Sequence, residues 1–390
     1  MRLLYRFSGP LTNKVIHSQV VGTLEALRRE GLRPDLLAWC GLGHALRHPA
    51  AYRQAEQAIR RHLAAPFRIR HTVDRWGRLD RMLKRRELES TLARVAAERV
   101  LLQTRSPDMA LLMAGLRRED ARLRLVIEIR GDLRAERGYR READAGLATL
   151  EDSLQRALEA ADLALCVTEE LARRVAERHG VPASRLHVMP CTADEELFCP
   201  DAASRERRRR ELGLRGEDLL LVYSGSLAKG WDVPERIGSF LRANMARQAR
   251  LHALLLSPDA PAAVSLAGGL PRGRAHVRSP GHWEMPGWLC AGDAALLLRD
   301  PHPLNEVASP TKAAELLLCG LPLLISPGVG DYSGWVEERG LGLLVSGEAL
   351  PERDWERLRA LDPRGIRRQA LELVARTPHV HRLAQRLRAL

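Results

Sequence analysis

Short apolar runs alternate with helix-period stretches along the 390 residues, and the alternation starts twice. Leu3–Phe7 reads as a strand, followed by a Ser-Gly-Pro turn and a helix from about Lys14 to Glu30, closed by Gly31. Further strands are expected at 35–40, 99–103, 125–130, 163–167 and 186–189. Pro190 and the irregular stretch Cys191–Pro200 interrupt the pattern. It restarts with Leu219–Tyr223 and a Ser-Gly-Ser turn, then continues with strands at 251–256, 275–278, 294–298 and 321–326. Strand–helix alternation predicts parallel sheets covered by helices on both faces. The restart predicts two such domains in tandem, consistent with roughly 100–200 residues per domain.

Charge narrows the partners. The formal net charge is +13, and the first hundred residues hold 20 Lys and Arg against 9 Asp and Glu. Such an excess suits nucleic acid, anionic membrane or phosphorylated substrates. Aromatic residues make up only 4% of the chain, too few for base-stacking platforms, so nucleic acid is not an expected partner. Arg60-Arg61-His62, Arg68-Ile69-Arg70 and Lys84-Arg85-Arg86 concentrate the charge within residues 47–99. That region could dock on anionic lipid, or it could be a solvated arginine-rich face. Arg205–Arg210 reads as another solvated helix face.

The six cysteines, at 40, 166, 191, 199, 290 and 319, show no Cys-x-x-Cys spacing and read as buried free thiols in a reducing compartment. No metal site is expected. The N-terminus has no apolar h-region, and the longest apolar stretch, near 313–325, contains Glu315 and a Gly-Leu-Pro break. It is shorter than the ~20 residues a spanning helix needs. A cytoplasmic protein with peripheral contact to the inner membrane face is expected.

Lysine is nearly absent: positions 14, 84, 229 and 312 hold the only four. Three of them lie in or beside loops after expected strands, where open α/β sheets bind ligands. A lysine retained there suits a site needing a compact point charge, such as a phosphate.

The segment Ser309-Pro310-Thr311-Lys312-Ala313-Ala314-Glu315 carries most chemical information. Ser309 is suited to cap a helix, Pro310 to begin it, and Gly320, with Pro322 beyond, to end it. The helix N-terminus and Lys312 can hold a phosphate. Glu315 lies among alanines and leucines, so its carboxylate needs a partner. Thr311 and Glu315 share a face. Diphosphate at the helix tip and ribose one turn below would match a nucleotide; a Lys312–Glu315 surface ion pair is the simpler alternative. Gly225, Ser226 and Lys229 follow the strand at 219–223, and the loop Pro327–Asp331 follows the strand at 321–326, on the same expected sheet edge.

With these residues the chain resembles the retaining GT-B glycosyltransferases of the family 4 group. The resemblance runs over nearly the whole chain. It rests on Ser18-Gln19-Val20, Thr104–Asp108, Val126–Leu133, Ala161–Thr168, Val188–Asp194 with Leu197-Phe198, Tyr223–Lys229, Ala291–Asp293 and Ser309–Pro322. It implies an α/β GT-B architecture of two Rossmann-like domains facing each other across a cleft. Residues 1–195 would bind the acceptor, 196–365 the nucleotide sugar, and 366–390 would form a helix crossing back to the first domain.

The resemblance further implies metal-independent transfer, without cofactor, from a UDP- or GDP-linked sugar to a saccharide or lipid-linked acceptor, in cell-surface polysaccharide or glycan biosynthesis. Glu315 resembles the ribose-binding glutamate and Lys229 the pyrophosphate-binding lysine. Gly225, Ser226, Arg299, Ser309, Pro310, Thr311 and Lys312 complete the expected donor site. Arg130, Asp132, Lys229 and Lys312 are the expected catalytic groups, and an Arg130–Asp132 structural pair is the alternative for the first two. Ser8, Gly9, Lys14 and His17 would line the acceptor side. Two departures stand out. Ser226 takes the place of a common arginine, which Lys312 or Arg299 could replace. Glu306 lies one residue off the usual spacing of eight before Glu315, where Val307 stands, so the sugar stays open. A GT-B sugar-nucleotide epimerase and a non-catalytic nucleotide-sugar-binding scaffold are the alternatives.

Overall fold

The computed structural model describes every residue except 14, 73–76, 141–145 and 228–232. The chain divides into two compact units: Met1–Pro190 with Arg376–Leu390, and Cys191–Ala375. Residues 366–390 therefore split. The helix Pro363–Leu373 belongs to the second unit and the helix Arg376–Arg388 to the first.

The first unit contains a parallel sheet of β1 (Arg2–Ser8), β2 (Arg33–Gly41), β3 (Phe67–Thr72), β4 (Val100–Thr104), β5 (Leu123–Ile129), β6 (Leu163–Cys166) and β7 (Leu186–Val188). The strand order is β3-β2-β1-β4-β5-β6-β7. Leu3, Tyr5 and Phe7 face a core shared with Ala38, Val126 and Leu165. The helix Arg376–Arg388 closes that core through Val380, Leu383 and Leu387. The expected helix from Lys14 begins instead with a π-helical segment, Ile16–Val21, before regular helix at Gly22–Arg29; Lys14 lies outside the described residues.

The second unit holds β8 (Leu219–Ser224), β9 (Leu251–Leu256), β10 (Ala275–Arg278), β11 (Ala294–Leu297), β12 (Leu323–Ile325) and β13 (Gly342–Leu344). The order is β10-β9-β8-β11-β12-β13, again parallel. Strands β8, β11 and β12 are apolar on both faces because both are covered, while β9 carries the half-buried His252 and the edge strand β10 carries His276 and Arg278. Leu220, Val222, Leu254 and Leu297 enter one core, while Leu221, Tyr223, Leu255 and Leu296 enter the other.

Arg205–Arg210 is not merely a solvated face. Arg205 and Arg209 both grip Asp293, and Arg209 is 9% exposed, its Nη1 3.0 Å from the carboxylate. Asp293 also accepts the Leu220 N–H at 2.7 Å, so this acid holds the start of β8 beside the arginine helix.

Candidate functional site

In both sheets the strand order reverses direction beside the first strand, between β1 and β4 and between β8 and β11. Open α/β sheets form their ligand crevice outside the carboxyl ends of strands at such points. In the second unit, Ser224-Gly225-Ser226 leaves the end of β8 there. Gly225 N–H donates to the Leu256 carbonyl at 3.0 Å, and the Tyr223 hydroxyl donates to the Ser226 carbonyl at 2.9 Å. Asp259, following β9, accepts from Ser226 Oγ at 2.5 Å and from Leu227 N–H at 2.9 Å. The loop is thus fixed from the core side and from the neighbouring strand. Lys229, the lysine expected on this loop, lies outside the described residues.

The helix Thr311–Leu318 reaches the same place: Lys312 Nζ donates to Ser224 Oγ at 3.2 Å. One turn along, Glu315 is 7% exposed among buried Ala313, Ala314, Leu316, Leu317 and Leu318. Tyr332 is buried near it. Burial pushes its phenol well above the ordinary value, and Cys191, Asp331 and Glu315 add to that, against an opposing contribution from Ser309.

Ser309 does not cap the helix. The cap position is Pro310, which lacks a side chain to bond the first N–H groups. Ser309 Oγ instead accepts the Cys191 N–H at 2.9 Å, tying the segment to the start of this unit. The C-terminus follows the sequence expectation. Gly320 adopts φ +80°, Leu321 N–H donates to Leu316 O at 3.1 Å and Gly320 N–H to Leu317 O at 2.9 Å, the pattern of a Schellman ending. A Cβ on Gly320 would stand 2.9 Å from the Pro363 carbonyl, so a side chain here is excluded on two grounds.

Arg299 follows β11 and is buried at 8% exposure. Its N–H donates to Ser326 Oγ at 2.9 Å and its Nη1 to Asn305 Oδ1 at 3.2 Å. Asn305 donates in turn to the Asp300 carbonyl at 2.8 Å. The structure therefore gathers Ser224, Gly225, Ser226 and Arg299 at the ends of β8 and β11, and the helix that carries Thr311, Lys312 and Glu315 joins them through Lys312. Asp259, Asn305 and Tyr332 support this set and were not among the expected residues. Asp259 had a local signal, an acid just before the helix Ala260–Gly268; the other two had none.

In the first unit, Ser8 ends β1 and Gly9 donates to the Trp39 carbonyl at 3.1 Å. His17 is held below its ordinary pKa by burial and by His62, with the Leu11 backbone opposing. Arg130 follows β5 and lies 3.9 Å from Glu128. Glu128 also binds Arg105 at 3.1 Å and Gln103 at 2.8 Å. Burial pushes the Glu128 carboxyl up, but Arg105, Arg130, Tyr5 and Gln103 outweigh it and hold the carboxyl below its ordinary value. Arg130 and Asp132 form no ion pair with each other among the described contacts. Asp132 caps the helix Leu133–Arg140 through the N–H groups of Arg134 (3.0 Å) and Ala135 (3.3 Å) and binds Arg178 at 2.5 Å.

A family model described as Glycosyltransferase Family 4 matches residues 17–197. The D-inositol 3-phosphate glycosyltransferase of Xylanimonas cellulosilytica is 28% identical over 200 residues. That match covers 48% of this chain and 46% of the relative, so it spans about half of each. Anabaena HepE, solved in complex with UDP, superposes with a TM-score of 0.72 at 15% identity over the whole of both chains. Sucrose-phosphate synthase from Thermosynechococcus elongatus gives 0.68 at 14% identity, covering 100% of this chain and 98% of the other. The chain has the GT-B fold, and its residues 17–197 resemble Glycosyltransferase Family 4. The match of residues 17–197 to Glycosyltransferase Family 4 does not favour the epimerase and scaffold readings. Among the described residues, no helix is long and apolar enough to cross a membrane.

Proposed function

We propose that this family 4-like chain transfers a sugar from a nucleotide sugar, UDP- or GDP-linked, to a saccharide or lipid-linked acceptor in cell-surface glycan synthesis. The observation that carries this reading is the meeting of Lys312 with Ser224 at the β8–β11 switch point, with Glu315 buried one turn along the same helix. A nucleoside diphosphate needs positive groups near its phosphates and an acceptor pair for its ribose hydroxyls. Lys312, Lys229 and the N-terminus of the helix Thr311–Leu318 supply the first, and the Glu315 carboxylate supplies the second. The complexes of HepE with UDP and with UDP-glucose support a uridine donor.

In the proposed reaction the bond from the anomeric carbon to the diphosphate oxygen breaks as the acceptor oxygen attaches. Negative charge grows on the departing diphosphate, so preorganised cations there raise the rate as well as binding. The acceptor proton passes to the leaving phosphate, with retention and without a metal. Arg130 orients donor or acceptor, steadied by Glu128; Asp132 fixes the turn that follows. Ser8, Gly9, Lys14 and His17 contact the acceptor.

The protein works in the cytoplasm, with peripheral contact at the inner membrane face. Leu79, Met82 and Leu83 are 42–47% exposed on the helix Gly77–Ala93, next to exposed Arg81 and Arg86. This mixture of apolar and basic side chains suits anionic lipid. Incubation with UDP- and GDP-sugars should release nucleoside diphosphate only when a saccharide or lipid-linked acceptor is present. Donor consumption without any second substrate would overturn transfer in favour of epimerisation.

A further inference from the structure

Strand β1 carries a charge that its protein surroundings do not balance. Arg6 is 1% exposed and lies on the face of the Trp39 ring. Its Nη1 donates to the carbonyls of Phe7 at 3.0 Å and Leu37 at 2.7 Å. Nε and Nη2 form the in-plane edge with which arginine grips anions, and among the described residues neither has a hydrogen-bond partner. A buried polar group left in that condition is costly, and arginine cannot escape by losing its proton.

The neighbouring acids do not discharge it. Glu87, Cys40 and Asp80 face Arg6. Burial pushes the Cys40 thiol up, so it stays neutral. Glu87 already accepts from the Trp39 indole and from Arg70, each at 2.7 Å. Asp80 is paired with Lys84 at 2.5 Å, and Asp35 with Arg2 at 2.7 Å. Of the charged groups that line the cavity beside it, Arg6 and Arg68 are cations and Asp35, already paired with Arg2, is a carboxylate.

Arg6 lines a cavity of about 20 Å³ bounded by β1, β2, β3 and the helix Gly77–Ala93, with Asp35, Leu37, Arg68, Leu88 and Thr91 on its walls. That is room for one occupant of water or halide size. We propose that this cavity is a binding site for a single halide-sized anion, gripped by Nε–H and Nη2–H of Arg6. The surplus of positive charge selects an anion over water. The walls of Leu37 and Leu88 suit a weakly hydrated, polarizable ion, and the site has no room for a phosphate group. The anion joins β1 to the helix above it and so stabilises the first unit, without any part in donor binding.

The full-length protein crystallised in sodium bromide tests this directly. An anomalous peak is expected within about 3.5 Å of Arg6 Nε and Nη2, the reach of a hydrogen bond to a large ion. Water there, or bromide only at surface sites, overturns the proposal. In solution, sodium chloride should raise the melting temperature by about 2–4 °C over sodium gluconate at equal ionic strength, saturating with concentration. Arg6→Met should abolish the difference between the two salts. Equal melting of the unsubstituted protein in both salts contradicts the site, whether or not the variant folds.

Discussion

The two units carry charge in opposite ways. In the second, the strands are apolar at nearly every position, and the polar groups collect at their carboxyl ends: Ser224, Ser226, Arg299 and Ser326. In the first, charge penetrates the sheet itself. Arg6 lies inside β1, and Glu128 on β5 is held between Arg105, Arg130 and Gln103. A fold that stands on apolar packing leaves its edge charges available to a ligand. A fold that builds charges into its sheet depends on them for stability. Substitutions should therefore separate function from stability in the second unit and join them in the first.

The largest effect on donor binding is expected at Glu315. Glu315→Ala should lower donor affinity about 100-fold, the loss of roughly 2–3 kcal/mol in hydrogen bonds to a charged group, with the fold retained. Titration calorimetry with the nucleotide sugar reads the affinity, and circular dichroism the fold. Next comes Glu128→Gln, which removes one partner from a buried ion cluster. It should destabilise the first unit by about 3 kcal/mol in urea unfolding, in the absence of any substrate. A loss of donor affinity at unchanged stability would break the contrast between the units.

Lys312→Met should lower kcat about 10-fold with little change in melting temperature, because the charge it removes acts on the leaving group. A pH effect is expected to be smallest. Burial, with Arg386 and Arg382 nearby, pushes His187 down to about 4. The folded unit therefore holds this imidazole neutral, and the unfolded chain takes up the proton first. Stability should fall as pH drops from about 6.5 to about 4 and then stop responding to this group, by about 1 kcal/mol after discounting for solvent. His187→Gln should flatten that slope in urea unfolding at stepped pH.

Much of this was legible from local pattern. Apolar runs marked β8, β11 and β12, and β9 with only His252 interrupting, because strands covered on both faces have no polar side. Gly320 marked the end of its helix, since the bonds that end it span only five residues. Strand β3 escaped notice because Phe67-Arg68-Ile69-Arg70 exposes its arginines at the sheet edge and reads as a basic run. Strand β13 has only three residues, too few to show a period.

The site was legible in its residue types and less so in its contacts. Ser309 had the right residue type for a cap, but a backbone N–H 118 residues away takes its hydroxyl. Arg205 and Arg209 looked solvated because their partner, Asp293, is remote in sequence. Long-range partners of this kind decide which charges stay available at an edge, and no local spacing encodes them.

The central claim is that Glu315 and Lys312 hold a nucleotide sugar in the second unit. Thermal shift of the unsubstituted protein and of Glu315→Ala against UDP-, GDP- and ADP-sugars tests it most directly. One nucleotide class should raise the melting temperature of the unsubstituted protein in a saturable way, and the variant should respond only at far higher concentration. No shift with any of the three, or an equal shift in both proteins, would contradict it.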